Sequence, residues 1–241
     1  MRMQGEVRPF RPARIKAVCF DLNGTVIAWQ EAFEAAFRES VEEWIGRWEG
    51  ERSVREVSRA ILAVYKEERR RTDRTDAIRR AVGELPMLAD ERTLLYIGKR
   101  IKELQPKKAR WIEGAEETMR QLSSRYQIAF ITNLERGRAE QIWERLNLGR
   151  FVKKEHLFTP AGRVRKPHKS AFLHAASALG VQPEQCVMVG DSWRRDCQGA
   201  LNAGFQAVWI KKNPSLKRSS VRVISSIEAL PRLLLRKEAL P

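Results

Sequence analysis

A handful of polar residues stand directly beside short apolar runs, and their types suit the handling of a phosphoryl group. Asp21 follows IKAVCF, Thr132 and Asn133 follow QIAFI, and Asp191 and Ser192 follow CVMVG, with Asp196 five residues further on. Lys166 opens RKPHKSAF, ahead of a segment with helical spacing. Two carboxylates can hold Mg²⁺, which prefers oxygen ligands and bridges to phosphate oxygens. A carboxylate can also attack phosphorus and carry the group as an aspartyl phosphate. A hydroxyl and an ammonium around the moving group stabilise the negative charge spread over its oxygens. The stretch AVCFDLNGTVIAW adds a puzzle, because Asn23 stands where a second carboxylate would be useful. An amide accepts and donates hydrogen bonds but neither gives up nor takes a proton.

The elements that must present these residues can be read from the apolar pattern. Short runs at 15–20, 127–131, 186–189, 206–210 and 221–224 predict buried strands. Helical spacing at 135–147, 168–179 and 195–203 lies between the later ones. Strand alternating with helix predicts an α/β fold, a Rossmann-like parallel sheet covered on both faces. In such sheets ligands bind beyond the carboxyl ends of the strands, where the polar residues above fall. From 28 to 109 the pattern changes to helix throughout, in WQEAFEAAFRESVEEWIGRW, SVREVSRAILAVYKEE and ERTLLYIGKRIKEL. Gly50, Pro86 and Pro106 punctuate it, Asp90 suits an N-cap, and the stripe Trp44, Ile45 and Trp48 reads as bundle core. The expected organisation is an α/β core from 1–27 and 110–241, with an all-helical domain at 28–109.

With these motifs in order, the chain resembles the haloacid dehalogenase superfamily, a group dominated by aspartate-nucleophile phosphatases. Asp21-Leu22-Asn23-Gly24-Thr25 matches the family's Asp-x-Asp-x-Thr except at the third position. FITN supplies Thr132, RKPHKSAF supplies Lys166, and VGDSWRRDCQGALNAG supplies Asp191 and Asp196. The resemblance implies Asp21 as nucleophile and Mg²⁺ ligand, Asn23 binding the metal through its main-chain carbonyl, and Asp191 as a further ligand. It implies that Thr132 and Lys166, with Asn133 beside them, hold the phosphate, and that Asp196 orients either the metal's surroundings or Lys166. The helical domain would be a cap that closes over the site and selects a small phosphorylated metabolite.

Asn23 is the departure. In the family's phosphatases the aspartate at this place protonates the leaving alcohol and then activates water, help typically worth about 10² to 10⁴ in rate. Three explanations stay open: slow or substrate-restricted phosphatase turnover, different chemistry, or a phosphate-binding protein without catalysis. The branches resembling phosphonoacetaldehyde hydrolase and the dehalogenases carry Ala or Tyr at this place, so neither is matched. The preferred expectation is a slow Mg²⁺-dependent phosphomonoesterase. Asn23-Gly24 is also a dipeptide prone to deamidation, which would create an aspartate in aged protein. Near the fourth motif, Arg194 and Arg195 either grip a second anionic group or face water and acidic neighbours.

Bulk properties narrow the partners. The net charge is +16, yet residues 27–110 hold 19 Lys and Arg against 16 Asp and Glu, so the excess lies in the rest of the chain. That field attracts anions. The aromatic spacing of a single-strand binding groove is not evident, and nucleic acid is disfavoured as a partner. No apolar run is long enough to span a bilayer, and no secretory signal is apparent, so the expectation is a cytoplasmic protein with no membrane partner. Cys19, Cys186 and Cys197 are unclustered and read as buried thiols in a reducing compartment. The pattern leaves the oligomeric state open.

Overall fold

The structure, a computed structural model, describes residues 10–46, 54–68, 70–72, 74–83, 91–212 and 221–235. The chain forms two compact units, one of residues Trp29–Ala109 and one of the segments on either side of it.

The second of these units is a six-stranded sheet. Its strands are β1 (Ala17–Phe20), β2 (Gln127–Ile131), β3 (Leu157–Phe158), β4 (Cys186–Gly190), β5 (Gln206–Ile210) and β6 (Arg222–Ile224), in the spatial order β3-β2-β1-β4-β5-β6. Every pairing is parallel. β1 lies at the centre, with Phe20 opposite Phe130 of β2 on one side and Val189 of β4 on the other. All four of its residues are buried, as a strand covered on both faces requires. Sequence order reverses direction at β1, with β2 and β3 to one side and β4 to β6 to the other. This is the switch point where the strand ends leave a crevice.

Helices cover the sheet. They include α5 (Ala115–Ser123), α6 (Arg136–Arg145), α7 (Lys169–Ala178), α8 (Gly199–Asn202) and α9 (Leu230–Leu234), the helices of the other unit being numbered α1 to α4 below. Phe172, Ala175 and Ala176 of α7 pack with Cys19, Ile131, Met188 and Ala200 in one cluster. Fully burying a ring such as Phe172 is worth about 1.5–3 kcal/mol. α8 approaches so closely that a Cβ on Gly199 would meet the Phe172 ring at 2.8 Å and Pro167 Cα at 3.0 Å. This packing fixes the loop that carries Lys166. Where the chain leaves and re-enters the unit, Ile27 bridges Trp111, Ala28 N–H donates to the Arg110 carbonyl, and Ile112 N–H donates to the Val26 carbonyl.

The other unit contains α1 (Trp29–Ile45), α2 (Val54–Glu68), α3 (Arg74–Gly83) and α4 (Glu91–Lys107). Phe33, Phe37 and Tyr65 form an aromatic centre with ring centroids 5.0–5.9 Å apart. Arg100 of α4 makes a two-pronged bond to Glu43 of α1 at 2.6 and 2.7 Å, and the Tyr96 hydroxyl donates to the same carboxylate. Ile45 is in the hydrophobic cluster and Trp44 packs against it.

Differences from the sequence reading are local. Pro106 does not end its helix but sits in the last turn of α4, where Lys108 N–H still reaches the Leu104 and Gln105 carbonyls. The missing N–H costs one bond near an end rather than a break. The sequence pattern does not single out β3, α5 or α9, and α3 lies in the stretch expected to be helical without being marked as a segment of its own. Trp48, Gly50, Pro86 and Asp90 lie outside the described residues.

Candidate active site

The site is assembled where β1, β2 and β4 end. Asp21 is the first residue past β1, and its N–H donates to the Val189 carbonyl of β4 at 2.9 Å. Its side chain is buried, and Oδ1 accepts from Lys166 Nζ at 2.7 Å. The same ammonium donates to Asp196 Oδ1 at 2.7 Å. Asp196 Oδ2 accepts the Ser192 N–H at 2.9 Å, so both of its oxygens are engaged. Residues 145 and 30 positions from Lys166 in the chain therefore meet on one nitrogen.

Asp191 completes the group: one oxygen from each of Asp21, Asp191 and Asp196 lies within 4.8 Å of the others. Two features hold Asp191 in place. The Trp209 indole of β5 donates to its main-chain carbonyl at 2.9 Å. On the opposite side, a Cβ on Gly24 would stand 2.5 Å from Asp191 Oδ2, so only glycine lets the loop after β1 come this near. Gly24 also has φ +82°, a conformation that side-chain-bearing residues rarely adopt. Gly190 has a similar role, since a Cβ there would lie 2.5 Å from the Asp196 side chain. Asp196 itself sits in a π-helical turn, Trp193–Gln198, in which the Asp196 and Cys197 N–H groups both reach the Ser192 carbonyl. Such turns recur at functional sites.

The electrostatics follow from the inventory of charge. Three carboxylates share one bonded ammonium, and the exposed Arg195 adds a pull on Asp191 without bonding to it, so the cluster is negative on balance. Burial raises the Asp21 carboxyl to about 6, and the Asp196 and Asp191 charges add to the rise while Lys166 opposes it. Burial works against the Lys166 ammonium, but Asp21 and Asp196 together more than offset it and hold it above its ordinary range. Asp191 is raised as well, chiefly by the protein packed around its carboxylate and then by Asp196, although the residue keeps an open face to solvent.

The other expected residues take these places. Thr132 is buried at the end of β2; its N–H donates to the Phe158 carbonyl of β3, and its hydroxyl accepts from Leu134 N–H at 3.2 Å. Its own hydroxyl proton is left to donate. Asn133 turns its carboxamide to Lys166: Oδ1 accepts the Lys166 N–H and Nδ2 donates to the Lys166 carbonyl, both at 2.9 Å. Its side chain thus fixes the backbone of the lysine, a role the sequence reading did not foresee. Asn23 is half-buried in the turn bridged to Ile27, and its Oδ1 is buried without a hydrogen-bond partner. The Gly24 N–H, which would have to attack the Asn23 side chain for deamidation, is held by the Ile27 carbonyl at 2.9 Å. Arg194 and Arg195 are exposed, and neither forms an ion pair with a described residue. His168 caps α7, its Nδ1 accepting the Ser170 N–H.

Two residues important to the geometry escaped the sequence reading. Trp209 lies within an apolar run and reads only as core, 18 positions from the carbonyl it holds. Gly190 looks like the end of a strand.

The donor set suits Mg²⁺. It offers only oxygen, includes two carboxylates not fully tied to other groups, and is negative on balance, as a divalent ion requires.

Comparison with known proteins agrees with this frame. Residues 15–204 match the family model for haloacid dehalogenase-like hydrolase. Glyceraldehyde 3-phosphate phosphatase of Methanopyrus kandleri is 30% identical over 206 residues, covering 82% of this chain and 84% of that protein. Human N-acylneuraminate-9-phosphatase is 51% identical over 77 residues, which is 30% of this chain and only 31% of the human protein. Among solved structures, the HAD-hydrolase YfnB from Bacillus subtilis, bound to magnesium, superposes with TM-score 0.69 at 17% identity, over 92% of this chain and 99% of that one. A HAD family hydrolase from Deinococcus radiodurans, with bound phosphate and sodium, gives 0.63 at 24% identity, over 92% and 96%. The chain belongs to the haloacid dehalogenase-like hydrolase family.

Proposed function

We propose that this protein is a Mg²⁺-dependent phosphatase that releases phosphate from a small phosphorylated metabolite by way of an aspartyl phosphate on Asp21. The observation that carries the reading is the Lys166 ammonium bonded to Asp21 and Asp196 at 2.7 Å each, beside a third carboxylate. The phosphatase names of the relatives in Methanopyrus kandleri and human support it.

Asp21, Asp191 and the main-chain carbonyl of Asn23 are the groups that would hold the metal. When bound, Mg²⁺ supplies positive charge that draws in the phosphate and offsets repulsion between its oxygens and the Asp21 carboxylate. Asp21, fixed by its backbone bond to β4, attacks phosphorus, and the bond to the leaving oxygen breaks. Lys166 and the Thr132 hydroxyl donate to phosphoryl oxygens as charge builds on them. Asp196 acts through Lys166, whose Nζ it holds, and Asn133 acts through the same residue's backbone. Water then attacks phosphorus, and the bond to Asp21 breaks, restoring the carboxylate. The segment Trp29–Ala109 is the cap, which selects the substrate.

The test is phosphate release from a panel of phosphorylated metabolites, with Mg²⁺ and with a chelator. Release that requires Mg²⁺ and disappears in Asp21→Asn is expected. Release that persists undiminished in Asp21→Asn would remove the nucleophile from the account.

A further inference from the structure

Asn23 removes the proton carrier from the reaction proposed above, and the described residues of the core unit offer no replacement at Asp21. The charged side chains whose fields reach Asp21 are Lys166, Asp196 and Asp191. Lys166 is bonded to two carboxylates, and Asp196 has both oxygens engaged. Asp191 belongs to the proposed metal set. None of the chain's three histidines is among those groups: His168 caps α7, the His174 ring packs edge-on against Phe158 on the wall of the cavity beside Thr132, and His156 ends the turn before β3. The turn holding Asn23 is itself rigid, with Gly24 N–H bonded to Ile27 and Val26 N–H to Leu22.

The two chemical steps suffer differently from this loss. In the first, an alkoxide must depart, and without a proton it is a poor leaving group. A carboxylate needs none. In the second, water attacks the aspartyl phosphate, and the expelled group is always the Asp21 carboxylate, but the water still has to lose a proton without a positioned base. Energy balance points the same way. An acyl phosphate and an aspartyl phosphate are both mixed anhydrides of a carboxylic and a phosphoric acid, so transfer between them is close to even, whereas transfer from an alkyl ester runs uphill.

Resting on the phosphatase reading of this same site, we infer that the substrates this chain handles best are acyl phosphates, and that the phosphoryl group then stays on Asp21 as a long-lived phosphoaspartate. The Asp21 oxygen forms a bond to phosphorus while the bond from phosphorus to the acyl oxygen breaks. The electron pair leaves with the carboxylate product, and no proton moves. Slow hydrolysis later returns Asp21 and inorganic phosphate, the water's proton passing to solvent.

The experiment mixes full-length protein and Mg²⁺ with acetyl phosphate or with ethyl phosphate, quenches in acid, and reads bound phosphoryl by intact mass and peptide mapping. With acetyl phosphate, one phosphoryl group on Asp21 should accumulate in a burst followed by slow release of phosphate. Ethyl phosphate should label at least about 10²-fold more slowly, the loss expected when a general acid is missing. In Asn23→Asp the burst should vanish, because hydrolysis accelerates, and the two probes should draw closer in rate. Turnover of both probes at similar rates in the native protein, with no labelled Asp21, would overturn the inference while leaving the phosphatase reading intact. So would Asn23→Asp activity from a native protein that acetyl phosphate does not label. Absence of labelling and of turnover in both proteins would overturn the phosphatase reading itself.

Discussion

Lys166 is the residue on which the site's charge depends. Its ammonium bonds two buried carboxylates, and its backbone is clamped on both sides by the Asn133 carboxamide. Lys166→Met would leave three carboxylates facing one another with no cation bonded to them. Phosphate release should fall by about 10² to 10³, as when a pre-placed donor to a developing charge is removed. The same variant should gain more thermal stability from added Mg²⁺ than the native protein does, because more negative charge then awaits the ion. Equal stabilisation of the two proteins, read as the shift in melting temperature with and without Mg²⁺, would argue against the charge balance described above. Asn23 belongs to this scale too. Gly24 N–H is committed to Ile27, so conversion to aspartate on storage should be slow, and peptide mapping of aged protein should find Asn23 intact.

At the scale of elements, the sheet edge works because neighbouring loops are held to each other by bonds that do not themselves touch a substrate. Trp209, the fourth residue of β5, holds the carbonyl of Asp191, and the Trp193 ring lies 5.5 Å from it. Trp209→Phe keeps an aromatic ring in the sheet and removes only the donor. Global stability should fall by about 0.5–1.5 kcal/mol, the usual net worth of one hydrogen bond. Mg²⁺ affinity should fall about tenfold, as when a partner orienting a metal ligand is lost. Calorimetric titration with Mg²⁺ measures this, and unchanged affinity would mean that Asp191 needs no support from β5. The same elements show what was legible in advance. β1, β2, β4 and β5 announce themselves as apolar runs followed by polar residues, so Asp21, Thr132 and Asp191 could be collected from the sequence. β3 has two residues, too few for any pattern, and α9 is a single short turn around Pro231. Asn133 could be collected in the same way, but its carboxamide and the indole of Trp209 act on partners 33 and 18 positions away, and nothing local marks those pairings.

At the scale of the whole molecule, the chain is two units with separate cores, and its cysteines all lie in the sheet-bearing one. Cys19, Cys186 and Cys197 are fully buried and form no disulfide. Burial also raises the Cys197 thiol far above its ordinary range, and contact with Cys186 together with burial raises Cys19. The native protein should therefore react with none of its three thiols at neutral pH, and all three should react once the sheet unfolds in denaturant. A thiol that titrates readily in the native protein would contradict the packing of β1 against β4 and α7. Among the described residues no helix is long and apolar enough to cross a membrane. The excess positive charge outside residues 27–110 fits attraction of a small anionic substrate toward the core unit.

The most direct test of the central claim is a crystal structure of the protein with Mg²⁺ and a phosphate mimic. The account predicts one ion at about 2.0–2.1 Å from a carboxylate oxygen of both Asp21 and Asp191, with the mimic bonded to Thr132 and Lys166. An ion bound elsewhere, or one that touches only one of the two aspartates, would contradict it.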